Sequence, residues 1–495
     1  MRDSETFTKF GKFFVAPEKE IYGELRVAGK ESSLYVRDDE FFHPDLSADG
    51  CITGTLHDLT KVTLLKCLLL EGLGSSSRDG QQYHFARLFP HFVLEGRRHI
   101  SPNDRSISQI TFVLDDATAL FYDFDAFGTV IDSDPYIEQI VAANKLERPV
   151  PIGPEPRIAY FTGKRDIVQA DTALGRVCVR HNPNWSLGGP NGVRIDNVIS
   201  ITLETANPIN FPEAITRTVR LLRFLELIIG RPQNLHEFVV FVDGGELPEP
   251  LKVHWSHRPI RTVEAVGNTL RPQPADLLLD PIDRQTEFIN VIRAWLEKDE
   301  ERQDSRQRFH TCFAQQHTYS VERLISAANM FDILPESAAP RDVDLPAILR
   351  EAKEQCRKIF EPLPNSYERN GVLNALGRVG KASLKHKTRH RAQYLVDAVG
   401  DRLPDLVLVL DAAIDCRNHY VHGSASKIDY SSNFDMVIFF TNTLEFVFGA
   451  SELVEAGWNI RTFVETPTSM SHPYGAYRIS FQQSLQALKA LVEKS

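Results

Sequence analysis

The stretch Asp405-Leu-Val-Leu-Val-Leu-Asp-Ala-Ala-Ile-Asp-Cys-Arg-Asn-His-Tyr-Val-His-Gly423 decides how the second half of the chain is read. It predicts a helix over 404–422. Pro404 suits the first helical position and Gly423 suits the residue just past the end. At about 100° per residue, Asp411, Asp415, Asn418 and His422 share one polar stripe, and Leu406, Val409, Leu410, Ala413 and Tyr420 lie opposite. Arg417 falls on the apolar side, roughly 140° from His422. A charge in that place needs a partner or a ligand. The face it lies on is therefore expected to meet a second subunit.

The end of this stretch combines two chemistries. An arginine can hold a phosphate through a bidentate fork, and a histidine can move a proton near neutral pH. Arg417, four intervening residues, and His422 would suffice for metal-free cleavage of a phosphodiester in RNA, with Asn418 directly after the arginine. The spacing alone is common by chance, and an ordinary surface helix accounts for it equally well.

Working outward, the chain changes character near residue 275, where Arg271-Pro-Gln-Pro274 reads as a short linker. Residues 276–495 show helical spacing in successive segments, including 388–400 and 430–457, and predict a bundle with short connections. Residues 1–275 read as β-rich. Short β-branched and aromatic runs such as Leu34–Val36, Val62–Leu70, His91–Leu94, Ile110–Leu114 and Val198–Leu203 alternate with turn chemistry. Gly72–Ser77 and Gly188–Gly192 are read as such turns. A sandwich or jelly-roll-like sheet pair fits this pattern, with one helix near 211–230 that Gly230-Arg231-Pro232 stops. The fold class is α+β and multidomain.

With 495 residues and a net charge of -10, the chain is no generic polyanion binder. Contact with nucleic acid would require a local basic patch. Arg378 to Arg391 supplies one, with six Lys or Arg, two His and no acid. Such a run is either a solvated loop or a phosphate-contact surface, with Lys381, Lys385, Lys387, Arg389 and Arg391 as its candidate RNA-binding residues. His386 and His390 lack a nearby carboxylate, so no metal or other cofactor is expected. The six cysteines show no paired spacing, and Met1-Arg-Asp-Ser-Glu-Thr opens no secretory signal. A reducing cytoplasm, with no membrane association, is the expectation.

The residues Arg417-Asn418 and His422, in a long helical region, resemble the motif of the HEPN superfamily of ribonucleases. The front of the chain agrees. Phe10-Gly11-Lys12-Phe13-Phe14-Val15-Ala16, Tyr22-Gly23-Glu24-Leu25, Ile52-Thr53-Gly54-Thr55 and Val62-Thr63-Leu64-Leu65 are similar to the β-rich N-terminal domain of ApeA-type proteins, which are HEPN proteins of anti-phage defence. The resemblance implies a homodimer across the 404–422 helix. It implies a metal-independent endoribonuclease in which His422 transfers the proton, Arg417 grips the scissile phosphate and Asn418 positions one or the other. Products would end in a 2′,3′-cyclic phosphate. The substrate would be tRNA or another host RNA, cut in abortive infection after a phage-derived trigger that the N-terminal domain senses. Asp415 is the residue the polar stripe offers for orienting the imidazole. The rival reading is a HEPN-like bundle that binds RNA or protein, or dimerises, without cutting.

Overall fold

The computed structural model describes residues 6–493, apart from 17–18, 48–49, 79–80, 144–148, 187, 244, 246, 257–270, 341–344 and 427. The chain divides into two compact units. One comprises Met1–Leu225, Pro232–Asn268 and Asp280–Ile289, and the other Glu226–Arg231, Thr269–Leu279 and Asn290–Ser495.

The first unit is built of β1 (Phe7–Ala16), β2 (Lys19–Val27), β3 (Ser33–Asp38), β4 (Cys51–Leu56), β5 (Lys61–Arg78), β6 (Gln81–Gly96), β7 (Ile107–Leu114), β8 (Phe127–Val130), β9 (Ile158–Phe161), β10 (Asp166–Thr172), β11 (Gly175–His181), β12 (Asn184–Trp185), β13 (Ile195–Asp196), β14 (Ile199–Ile209), β15 (Leu235–Val242) and β16 (Glu249–Trp255). The short α1 (Ala117–Leu120) and α2 (Asp134–Ala143) and the longer α3 (Phe211–Ile229) accompany them. Among the described residues, twelve strands form one sheet in the order β10-β11-β14-β7-β15-β16-β6-β3-β2-β1-β4-β5, and β5 also pairs with β6. The β-rich class therefore holds. Instead of a sandwich of two large sheets, however, these twelve strands form one continuous antiparallel sheet in which β1 to β6 close into a barrel, while β8 pairs only with β9 and β12 only with β13 among the described residues.

Alternation of side chains fills the barrel. Phe13 and Val15 of β1, Ile21 and Leu25 of β2, Leu34 and Val36 of β3 and Leu64 of β5 all point inward. Three glycines let the wall close, two of them, Gly23 and Gly54, against Phe13 and the third, Gly11, against Thr55 and Leu56. Gly11 pairs with Gly23 across β1 and β2. A Cβ on Gly23 would lie 2.7 Å from Tyr35 O, and one on Gly54 would lie 2.4 Å from the Phe13 ring. These glycines belong to the segments that carried the N-terminal resemblance. Gly72–Ser77, expected as a turn, lies instead within the long strand β5. There the Phe85 ring of β6 packs over Gly74, filling the space a side chain would take.

The second unit is helical: α4 (Gln285–Glu297, shared with the first unit), α5 (Gln303–Phe313), α6 (Val321–Asp332), α7 (Ala347–Phe360), α8 (Tyr367–Arg378), α9 (Leu384–Val399), α10 (Leu406–His422), α11 (Phe434–Glu455), α12 (Ile460–Glu465) and α13 (Pro473–Glu493). By length and composition α11 could cross a bilayer. It is nonetheless the bundle's central helix, buried over most of its length among α5, α6, α9, α10 and α13.

Two carboxylates on α11, Glu452 buried and Glu455 half-buried, collect arginines. Glu452 meets Arg302 at 2.6 Å, Arg306 at 2.8 Å and Arg391 at 2.9 Å. Glu455 meets Arg302 at 2.7 Å, Arg391 at 2.6 Å and Lys298 at 2.8 Å. Asp299 takes Arg306 at 3.0 Å. Burial pushes the Glu452 carboxyl upward, but Arg306, Arg391 and Arg302 outweigh it and hold the group below the ordinary carboxylate range. This sealed network ties α5 and α9 to α11.

Candidate active site

Helix α10 begins two residues later than expected. Asp405 is its N-cap in a left-handed conformation (φ 56°), so Pro404 lies outside the helix. Its far end is as predicted. Gly423 adopts φ 65° and closes the helix by donating its N–H to the His419 carbonyl at 3.0 Å. His419 Nδ1 in turn donates to the Ser424 carbonyl at 2.9 Å, which holds the following loop. Leu406, Val409, Leu410, Ala413, Ile414 and Cys416 are buried, and α6, α9 and α11 surround the helix. Burial pushes the Cys416 thiol up to about 12, so it is no nucleophile near neutral pH.

Arg417 and His422 come together although their Cα positions point apart. The long arginine side chain reaches around the last turn. Its Nη1 donates to Asn418 Oδ1 at 3.1 Å and to His422 Nε2 at 3.1 Å. Its Nη2 donates to Asn329 Oδ1 of α6 at 3.0 Å. A guanidinium can only donate, so Nε2 is the acceptor here and the imidazole proton sits on Nδ1. All three partners of Arg417 are neutral. Among the described residues no carboxylate lies within ion-pair distance of it.

These contacts also explain Arg417 on its apolar side within a single chain. The inference that its position demands a second subunit therefore loses its basis. Asn329 was not singled out in the sequence. An asparagine 88 residues away, inside a helical pattern that already made sense, gives no signal of its role.

The Asp411–Asp415 end of the polar stripe has another use. Lys385 Nζ meets Asp415 at 2.6 Å, and Arg389 pairs with Asp411, so an ion-pair ladder joins α9 to α10. Asp415 is thus not placed on the imidazole. It stands seven residues from His422, about 10 Å along the helix axis, and the hydrogen bond to the imidazole comes from Arg417.

The basic run is also redistributed. Half of it is helical, because Ser383 caps α9 by accepting from the His386 N–H. Lys387 pairs with Asp332 at 3.1 Å, and Lys381 is exposed. Arg391, expected as an RNA contact, is fully buried in the network with Glu452 and Glu455 and cannot reach a ligand. Among the described residues no cluster of three or more His, Cys, Asp or Glu has a metal-holding arrangement.

Two family models match the chain. One described as ApeA N-terminal domain 1 covers residues 8–295, and one described as Apea-like HEPN covers residues 325–461. Asn329, Arg417, Asn418 and His422 lie inside the second. No curated protein and no solved structure matches the chain.

Proposed function

The chain belongs to the ApeA family, a defence-related family with a HEPN domain of usually ribonucleolytic type, and from that membership we propose that it is a metal-independent endoribonuclease of anti-phage defence. The observation that carries the proposal is the pairing of a guanidinium that lacks a carboxylate with the lone-pair nitrogen of a solvent-exposed histidine.

In the free protein, Arg417 occupies the Nε2 lone pair of His422. A phosphate is a stronger acceptor for a guanidinium than a neutral imidazole is. An entering phosphodiester would draw Nη1 and Nη2 onto its oxygens and release Nε2. The freed nitrogen would take the proton of the ribose 2′-hydroxyl as that oxygen attacks phosphorus. The 5′-oxygen would leave, protonated by the conjugate acid of a histidine. Arg417 would stabilise the charge that develops on the phosphoryl oxygens. The products are a 2′,3′-cyclic phosphate and a 5′-hydroxyl end. Asn418 and Asn329 would hold the guanidinium in place.

Pairing of two motif ends in a homodimer, which the HEPN resemblance implies, would supply base and acid from two histidines. Lys381 would contact the RNA backbone. Lys385, Lys387 and Arg389 would join it by exchanging surface ion pairs, which contribute little to stability, for phosphate. Host RNA, tRNA included, is the proposed substrate, and abortive infection the proposed outcome. The β-rich domain would sense a phage-derived trigger.

The test is cleavage of RNA in EDTA with analysis of the ends. Cyclic phosphate ends from the wild type, and loss of about a hundredfold or more in the His422→Ala protein, are expected. Full activity in His422→Ala, or 3′-hydroxyl ends, would overturn the reading.

A further inference from the structure

Helices α7 and α8 stand apart from the rest of the helical unit in one respect: neither contains a buried residue. They pack on each other. Lys353 of α7 donates to the Val379 carbonyl at 2.9 Å, and Arg369 of α8 donates to the Phe360 carbonyl at 3.0 Å. That uses the side of α7 bearing Lys353 and Phe360. A different side carries Ile348, Ala352, Gln355 and Ile359, which fall within about 60° of one another on the helix. All four are exposed, Ile348 at 80% and Ile359 at 64%. Large aliphatic side chains at such exposure, aligned along one helix face, mark a contact surface.

The order of this seam says what covers it. The spacing 348, 352, 355, 359 reads the same in both directions, in steps of four, three and four. A second copy of α7 laid antiparallel therefore matches it layer by layer: Ile348 meets Ile359 of the other copy, and Ala352 meets Gln355. Ala352 leaves room for the longer Gln355 of the other copy, whose amide also donates to Glu351 of its own helix at 3.5 Å. The flanks agree. On one side, Leu349 comes beside Cys356 of the other copy. On the other side, Glu351 comes beside Lys358, and two-fold symmetry repeats that opposite-charge pair. A lipid surface fits less well, since the middle of the seam offers no bulky apolar group. RNA fits less well too, since Glu351 and Glu354 interrupt the basic residues.

We propose that α7 is a homotypic docking surface, on which a second copy of this chain pairs antiparallel through Ile348, Ala352, Gln355 and Ile359 with Glu351 set against Lys358. The seam is three turns long and covers less than the about 800 Å² per partner of a standard stable interface, so the pairing depends on concentration. The inference does not rest on the nuclease reading.

Charge reversal tests it. At micromolar concentrations, light scattering should give Glu351→Lys and Lys358→Glu proteins a mass shifted from the wild-type value toward half of it, with the dissociation constant raised about tenfold by two like-charge contacts. The double variant restores opposite charges and should regain the wild-type mass. Ile348→Glu should also lower it, with no charge to restore. Unchanged mass in both single reversals, or a double variant that stays at the lowered mass, would overturn the proposal. So would Ile348→Glu releasing the protein from anionic vesicles or from RNA without altering its mass. RNA cleavage is read separately, so failure of this pairing and failure of the nuclease proposal are distinguishable.

Discussion

Two groups of arginines in the helical unit are built to opposite specifications. Arg302, Arg306 and Arg391 are sealed from water and face Glu452, Glu455 and Asp299. Arg417 lies at the half-buried end of α10 and faces two asparagine oxygens and an imidazole nitrogen. The first group has its countercharge supplied by the fold, and its net positive charge is spent within the chain. The second is held in position without being neutralised. An arginine positioned by neutral acceptors still attracts an anion, and that separates a candidate site from a structural ion pair even though both are polar and hydrogen-bonded.

The sharpest break of this comparison is removal of Glu452. Glu452→Ala leaves three buried guanidinium groups short of a partner and should reduce stability by about 3–5 kcal/mol, measured by urea unfolding. Arg417→Ala, which leaves only neutral groups unpaired near solvent, should reduce it by about 1 kcal/mol. Equal losses would mean that the two groups do the same job.

Catalysis should show the reverse ranking. Arg417→Lys retains the charge but loses the planar fork that spans His422, Asn418 and Asn329. RNA cleavage should drop by about a hundredfold while the urea midpoint stays put. A Lys variant with unimpaired cleavage would show that a point charge suffices there.

Acid should loosen the sealed group. Glu452 and Glu455 are held below the ordinary range, net of the burial that pushes them up, by their arginines and Lys298. A depressed carboxylate contributes stability that is complete above its unfolded value, near 4.5, and is lost as pH falls below that. His472 adds an earlier limb. Burial lowers it from 6.5 to about 4, so the unfolded chain takes up the proton first and stability falls between those two values. Thermal midpoints should decline from about pH 6.5 downward, and His472→Gln should flatten the limb above pH 4.5.

The smallest expected effect is at the ladder. Asp415→Asn frees Lys385 from a surface ion pair and should change stability by less than about 1 kcal/mol. RNA affinity should rise slightly, with a salt slope steeper by about one. A hundredfold loss of cleavage would instead return Asp415 to a supporting role at His422.

What could be read from the chain was what local rules govern. The stop of α10 at Gly423, the helix at 211–229 and the short strand runs within β3, β5, β6, β7 and β14 follow from spacing and turn chemistry. What could not be read depended on distant partners. Arg391 looks like its neighbours in the basic run, and Glu452 and Glu455, far along the chain on α11, make it structural. Arg417 looked stranded on an apolar face because Asn329 belongs to another helix. Closure of β5 onto β6 is likewise a pairing that no single strand announces.

Asn329→Asp tests the central claim most directly. The change keeps the shape and puts a carboxylate 3.0 Å from Arg417 Nη2, converting the open arginine into one of the sealed kind. Metal-free RNA cleavage should fall by about a hundredfold while the urea midpoint holds or rises. Wild-type cleavage in the Asn329→Asp protein, with the fold intact, would contradict it.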